Sequence, residues 1–230
     1  MPSSNTGAGP GLAPLLGAGI RIEASSNVSL APNDVQMFGA GSALYIYANG
    51  VNSTDVMVTG GLYQTAGIAN GLQVTQAGGG TVVRLTLTGP EFVSTSADAM
   101  SINAIIVGNI ANVTAVSGSG RALFINGCTL INVVGGNYTT TGATYIATSG
   151  TCTGTFIDKT VNFGGVASRI TNAGTGANIE WRVANSLVPT AGTFAIGDHA
   201  IPFLSIVGQP KGWFTTSAGT PGTQTGEGNL

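Results

Sequence analysis

Two nearly identical phrases, ALYIYANG at residues 43–50 and ALFINGC at 122–128, stand far apart in this 230-residue chain. Both begin with the form small-x-x-aliphatic, and six phrases of that form start at Ala43, Gly71, Ala99, Ala122, Ala143 and Ala167. These starts are 28, 28, 23, 21 and 24 residues apart. A repeat of this length is too short for a βαβ unit, so each copy must bury its apolar face against the next.

Apolar and variable residues alternate within these phrases. The second and fourth residues of each phrase are Leu44/Ile46, Leu72/Val74, Met100/Ile102, Leu123/Ile125, Thr144/Ile146 and Ser168/Ile170. Alternation with period two indicates a strand with one buried face. Identical strands stacked about 4.8 Å apart would bury a continuous core. We therefore predict an all-β protein, a parallel β-helix of about six coils. An antiparallel β-sandwich, which also gives short alternating strands, is the alternative.

A second column shares this spacing and has aromatic residues at Tyr63, Phe92, Tyr138 and Phe163. It slips only at the fourth coil, where the phrase VTAVSG supplies a small residue. Composition favours the same fold class: only 7% of residues are charged, against about 25% in ordinary soluble domains. With 37 glycines and few Glu or Lys, the chain favours strands and tight turns over helices.

Charge and hydropathy exclude two classes of partner. The formal net charge is −2 and Lys and Arg are not clustered, so we expect no binding to nucleic acid. The sequence has no run of about 18 apolar residues, so we expect no membrane insertion. The first residues lack the charged region and apolar core of a signal peptide, so we expect the protein to be made and kept in the cytoplasm until lysis or assembly.

The two ends of the chain differ from the repeats in amino-acid composition. Residues 1–27 begin with a Gly-, Ala- and Pro-rich stretch that has too little apolar content to fold alone, and we predict a flexible N-terminal arm. The β-helix is then predicted over residues 28–185. In residues 186–230, prolines and two short aliphatic runs predict a small C-terminal module of β-hairpins, incompatible with further coils.

The repeats over about residues 28–185 resemble the right-handed, pectate-lyase-like β-helix of bacteriophage tailspikes and tail fibres. The C-terminal segment resembles a terminal module of phage tail proteins, on the residues Gly197-Asp198, Gly208-Gln-Pro-Lys-Gly-Trp213 and Ala218-Gly-Thr-Pro-Gly-Thr223. It departs from that module at Gln224, where the family usually has Trp.

This resemblance implies a homotrimer on the virion surface, with the arm contacting other virion proteins. The function expected from it is that of a non-catalytic structural protein, a short tail fibre or spike or a capsid decoration protein, that could also contact host surface glycans. The alternative is a tailspike depolymerase, a glycoside hydrolase acting on host surface polysaccharide. A secreted adhesin or lyase is a more distant third.

Paired carboxylates would be needed for glycoside hydrolysis. Of the nine acidic residues, only Asp158 and Glu180, at offsets 15 and 13 in neighbouring coils, could face each other, and Trp181 and Arg182 adjoin Glu180. In the depolymerase alternative, these carboxylates are catalytic and Trp181 is the platform for a sugar ring. The competing interpretation, which we favour, is that Trp181 covers the core where the helix stops.

An outward ladder is also predicted from the repeat. Its members, one from each successive coil, are Tyr45, Gln73, Ser101, Phe124, Tyr145 and Arg169. Phe124, Tyr145 and Arg169 would form an aromatic and cationic strip, either a subunit interface, which we favour, or a glycan-binding surface.

The remaining reactive residues are interpreted as structural. Cys128 and Cys152 lie one coil apart, and we expect buried reduced thiols in adjacent rungs, with a disulfide as the alternative. The single histidine, His199, follows Asp198 beside an apolar run and is interpreted as structural. One His without a Cys-x-x-Cys motif predicts no metal site, and no cofactor is expected.

Overall fold

The computed structural model describes residues 18–162, 170–183, 188–202, 204 and 206–228, with Val183 described by its backbone alone. Over these residues the chain forms 22 β-strands in three sheets and no helix. Through residue 157, successive strands visit the three sheets in turn, so each sheet gains one parallel strand per coil. The predicted all-β parallel β-helix of about six turns is confirmed.

Sheet A has seven strands, β1 (Ile20–Glu23), β4 (Leu44–Asn49), β7 (Leu72–Ala77), β10 (Met100–Asn103), β13 (Leu123–Asn126), β16 (Ile146–Ser149) and β18 (Ile170–Asn172). Sheet C has five strands, β3 (Asp34–Met37), β6 (Leu62–Thr65), β9 (Glu91–Ser94), β12 (Thr114–Ser117) and β15 (Asn137–Thr140).

Sheet B runs the whole length of the helix and continues into the C-terminal segment. Its strands are β2 (Ser26–Leu30), β5 (Thr54–Thr59), β8 (Val82–Thr88), β11 (Ile105–Ala111), β14 (Ile131–Val134), β17 (Thr151–Ile157), β19 (Thr175–Val183), β20 (His199–Pro202), β21 (Trp213–Ser217) and β22 (Thr223–Gly226). With ten strands it is the largest of the three sheets in the described ranges.

The core is a stack of equivalent side chains. In sheet A, fully buried residues pair in sequence from coil to coil at Leu44, Leu72, Met100, Leu123, Ile146 and Ile170. In sheet C the buried column is Tyr63, Phe92, Ala115 and Tyr138, as the aromatic spacing and its slip at the fourth coil predict. Burying one such large side chain contributes about 1.5–3 kcal/mol, so the column is the main source of cohesion between coils. Phe163 lies outside the described residues.

The predicted register is correct at every step except the one from the phrase at Ala122 to the phrase at Ala143. Ile102 pairs with Ile125 as expected, but Leu123 pairs with Ile146, and Ile125 with Thr148. The phrase at Ala143 therefore stands two residues out of step with the earlier phrases. The shift is tolerated because the hydroxyl of buried Thr148 donates a hydrogen bond to Asn172 in the next coil and is therefore paired.

Both predicted boundaries of the helix need correction. The first coil begins at Ile20, since β1 pairs in parallel with β4 and β2 with β5, so residues 20–27 belong to the helix and not to an arm. At the other end β20 adds in parallel to β19, so the stack continues past residue 185. Only then does the chain reverse, in the antiparallel pairs β20–β21 and β21–β22, which confirms a hairpin in the C-terminal segment.

Polar side chains also stack at the corner that leads from sheet A to sheet B. The amide of Asn126 donates to Oδ1 of Asn103 at 3.1 Å, and the hydroxyl of Ser149 donates to Oδ1 of Asn126 at 2.8 Å. Asn103 in turn donates to the carbonyl oxygen of Val74 at 3.2 Å. This ladder, from Val74 to Ser149, links four successive coils through partly buried hydrogen bonds.

Replacing Asn126 by Ala should lower the free energy of unfolding by about 1–3 kcal/mol, because it leaves the partly buried polar groups of Asn103 and Ser149 without their partner. Chemical denaturation followed by circular dichroism measures the change. Asn109→Ala, on the exposed outer side of β11, is the matched control and should change stability by less than about 0.5 kcal/mol. Equal effects of the two substitutions would contradict a structural role for the corner ladder.

Candidate functional site

The outer side of sheet B presents a straight row of polar and aromatic side chains. In-register pairing places Thr86, Asn109, Asn132, Phe156 and Asn178 on five successive strands. These side chains point outward because their neighbours along the strands, such as Thr155 and Ile157, are buried. Asn109, Asn132 and Asn178 are exposed, and Phe156 is partly exposed between the last two. We call this row the sheet B face.

A groove of about 360 Å³ lies at the N-terminal end of this face. Its lining includes Met57 and Thr86, which are paired with each other on the same row. Asp55 and Arg84 form an ion pair on its floor, and the hydrogen bond from Arg84 lowers the pKa of Asp55. The groove is therefore continuous with the sheet B face, and its guanidinium is already matched by a carboxylate.

Asp158 and Glu180 lie together at the C-terminal end of this face. Each directly follows one residue of the in-register pair Ile157 and Ile179, so Asp158, just past the end of β17, and Glu180, on β19, are adjacent in the backbone, and both are partly exposed. Asp158 Oδ1 accepts a hydrogen bond from the backbone N–H of Thr160 at 2.8 Å, which closes the turn after β17. The sequence pattern thus correctly predicts that these two acids are neighbours.

His199 lies on β20, opposite Glu180. Its Nδ1 lies 3.8 Å from Glu180 Oε1 and its Nε2 lies 3.3 Å from Glu227 Oε2, while its ring stacks on Phe214 at 4.0 Å. A Cβ on residue 212 would lie 2.6 Å from Nε2, so Gly212 is needed for this packing. His199 therefore holds the C-terminal hairpin against the last coil, in agreement with the structural interpretation.

Trp181 is fully buried and is not available as a sugar platform. Trp181 follows Ile179 by two residues on β19, so both side chains point inward, and its ring stacks on that of Phe194 with centroids 4.9 Å apart. The depolymerase prediction is therefore wrong in its choice of aromatic residue, and the competing interpretation, a tryptophan that covers the end of the core, is confirmed. Arg182 follows Glu180 by two residues on β19, so both side chains lie on the outer side of the strand.

The predicted outward ladder on sheet A is correct only in part. Tyr45, Gln73, Ser101 and Phe124 pair in register as expected. Phe124 then pairs with Ala147, not with Tyr145, because of the two-residue shift; Arg169 lies outside the described residues. The cation over the Phe124 ring is Arg121, 3.5 Å from its centroid, and Arg21 lies over Tyr45 at 5.5 Å.

The two cysteines are free, buried thiols at the same corner of successive coils, as predicted. The backbone N–H of Ile105 donates to Cys128 Sγ at 3.5 Å, and the Cys152 thiol donates to the carbonyl oxygen of Ser149 at 3.1 Å. Burial raises the pKa of Cys128 to about 11, so this thiol is protonated and unreactive at neutral pH.

Asp198, by contrast, is the buried centre of the C-terminal end. Its carboxylate oxygens accept hydrogen bonds from the backbone N–H groups of Ile179 and Ala195, both at 2.8 Å, and from the Asn172 amide at 2.8 and 2.9 Å. It thereby joins β18, β19 and the segment before β20. Burial raises its pKa to about 6, although the hydrogen bonds that it accepts act in the opposite direction.

Asp198→Asn should remove a pH dependence from folding. The folded-state pKa of about 6 exceeds the ordinary value of 3.8, so the folded protein holds this proton more tightly than the unfolded chain. The contribution to stability is therefore complete below about pH 4 and is lost as the pH rises to about 6. Denaturant unfolding at several pH values should give a steeper decline in the wild type than in the variant across this window. Parallel curves would contradict this account.

Sequence reasoning missed Phe156, Phe214, Asn172 and the carboxylate role of Asp198. The alternation of β17, in which Phe156 stands between inward Thr155 and Ile157, could have identified Phe156 as outward. The role of Asp198 depends on contacts with residues 19 and 26 positions away, which no local pattern reveals.

No protein-family model, curated protein or solved structure matches this chain. Within the described ranges, no three His, Cys, Asp or Glu side chains are grouped so that they could hold a metal ion. The same part of the chain contains no helix with the length and apolarity needed to cross a membrane.

Proposed function

We propose that this protein is a structural component of a bacteriophage particle: a trimeric β-helix exposed on the virion surface, made in the host cytoplasm. It serves as a short tail fibre or spike, or decorates the capsid, and it has no catalytic activity. The N-terminal segment that precedes the first strand attaches it to other virion proteins in this proposal. A stack of uniform coils with few charges is suited to a rigid spacer or attachment surface rather than to a reaction centre.

The observation that carries the proposal is the construction of the C-terminal end. The residues on which the resemblance to phage tail proteins rests are those that build this end. Asp198 joins the last strands, Trp213 is buried against them, and the turn containing Gly219 and Gly222 connects β21 to β22. Gln224, which departs from the family pattern, donates to the Thr215 hydroxyl at 2.9 Å and so ties the two strands of the hairpin together.

The trimer is supported by apolar residues exposed near this end. Leu204, Ile206 and Val207 are 73%, 53% and 88% exposed, and patches of this kind mark contacts with other chains. Closed threefold symmetry would also limit side-by-side packing of a low-charge fibre.

Analytical ultracentrifugation of the purified protein should therefore give three times the chain mass of 22.8 kDa. Val207→Asp should shift the equilibrium toward smaller species, because it places a charge in an apolar contact. Val51→Asp, at an exposed valine in the second coil, is the matched control and should leave the trimer intact. A stable monomer across the concentration range would contradict the trimer.

A depolymerase remains the second candidate, because Asp158 and Glu180 are adjacent in the backbone and both are partly exposed. Incubation with host surface polysaccharide should release no new reducing ends if the protein is structural. Release of reducing ends that is lost in Glu180→Gln would favour the hydrolase over our proposal. Glu91→Gln, on an exposed acid of sheet C, is the control.

A further inference from the structure

We propose that the sheet B face binds an uncharged polysaccharide, laid along the helix axis with one sugar ring on Phe156. This inference rests on the proposed role at the virion surface and adds to it a ligand class and a place. It rests on the outward row from Thr86 to Asn178, on the groove that continues it, and on the charges at its C-terminal end.

Phe156 provides an aromatic surface with hydrogen-bonding groups on both sides. Asn132 precedes it and Asn178 follows it in the same register, each about 4.8 Å away. A side-chain amide both donates and accepts hydrogen bonds, as the hydroxyl groups of a sugar require. An apolar platform between such groups matches the apolar face and polar rim of a pyranose ring.

The row is linear, and this favours a polymer over a single sugar. Four strand spacings separate Thr86 from Asn178, a length of about 19 Å. Exposed side-chain amides occupy three of the five positions, and the groove of about 360 Å³ extends the row beyond Thr86. A second copy of this chain is a poorer match, because protein interfaces are centred on apolar residues and this row is mostly amides.

Charge indicates that the polymer is neutral. At the C-terminal end of the row, the acids Asp158 and Glu180 stand beside exposed Lys159 and partly exposed Arg182, so this end carries no excess of positive charge to attract a polyanion. At the other end of the row, the positive charge of Arg84 is matched by Asp55. We therefore expect uronic-acid polymers to be rejected.

The test uses the full-length protein on a printed array that carries dextran, mannan and galactan beside the polyuronate alginate. We expect binding to at least one neutral polymer, about ten-fold or more weakened by Phe156→Ala. Phe38→Ala removes a phenylalanine that is 79% exposed away from this face and should change affinity less than about two-fold. Circular dichroism checks that both variants fold.

If Phe156→Ala fails to fold, Asn132→Asp and Asn178→Asp replace it, since each adds only an exposed negative charge and should still weaken binding. Failure of every neutral polymer to bind, binding to alginate alone, or equal affinities of the wild type and the face variants would overturn the inference. The ultracentrifugation result is independent, so a silent array with an intact trimer would remove the polysaccharide site and leave the structural role standing.

Discussion

The structure depends on one constraint: each coil must place its inward side chains directly on those of the next coil. A single coil has too little interior to bury its own apolar face, so stability comes from contact between neighbours. This explains why the chain repeats a short phrase and why the loops between strands vary in length. Coils of 23 and 28 residues coexist because the strands set the register, while the corners absorb the difference. The same stacking aligns the outward side chains into rows, so any binding surface of this fold is linear.

A stack has ends, and the C-terminal end shows how this chain closes one. The last apolar layer is covered by Trp181 and Phe194, and the polar groups beneath them converge on Asp198. β20 first continues the parallel stack, and the hairpin of β21 and β22 then turns back against it. On the outer side, His199 lies between Glu180 and Glu227 and so connects β19 to the hairpin. The edge of the last coil is thus joined to further backbone instead of being left open to other chains.

The repeat and its alternation were sufficient to predict the fold, the stacked core and the adjacency of Asp158 and Glu180. They failed where polar residues occupy the core. Buried Thr148 hydrogen-bonds Asn172, and Asn172 also hydrogen-bonds Asp198. A search for alternating apolar residues does not identify such polar positions as buried. Only the depolymerase alternative placed Trp181 on the surface, whereas the favoured interpretation, that Trp181 covers the end of the core, agrees with its burial and with its position two residues after inward-facing Ile179. The first coil was missed because the arm-like composition of the preceding residues obscured the strand at Ile20–Glu23.

Stacking in register is the claim on which the face, the groove and the C-terminal closure all depend, and cross-linking tests it most directly. Asn109 and Asn132 are paired on adjacent strands, and a spacing of about 4.8 Å permits a disulfide between cysteines at these positions. Val134 pairs with Ala111 instead, which places its Cα about 8 Å from that of residue 109, too far for a bond. The account predicts that mild oxidation followed by peptide mapping finds the bond in Asn109→Cys/Asn132→Cys and not in Asn109→Cys/Val134→Cys. Equal cross-linking of both pairs, or bonding of the second pair alone, would contradict it.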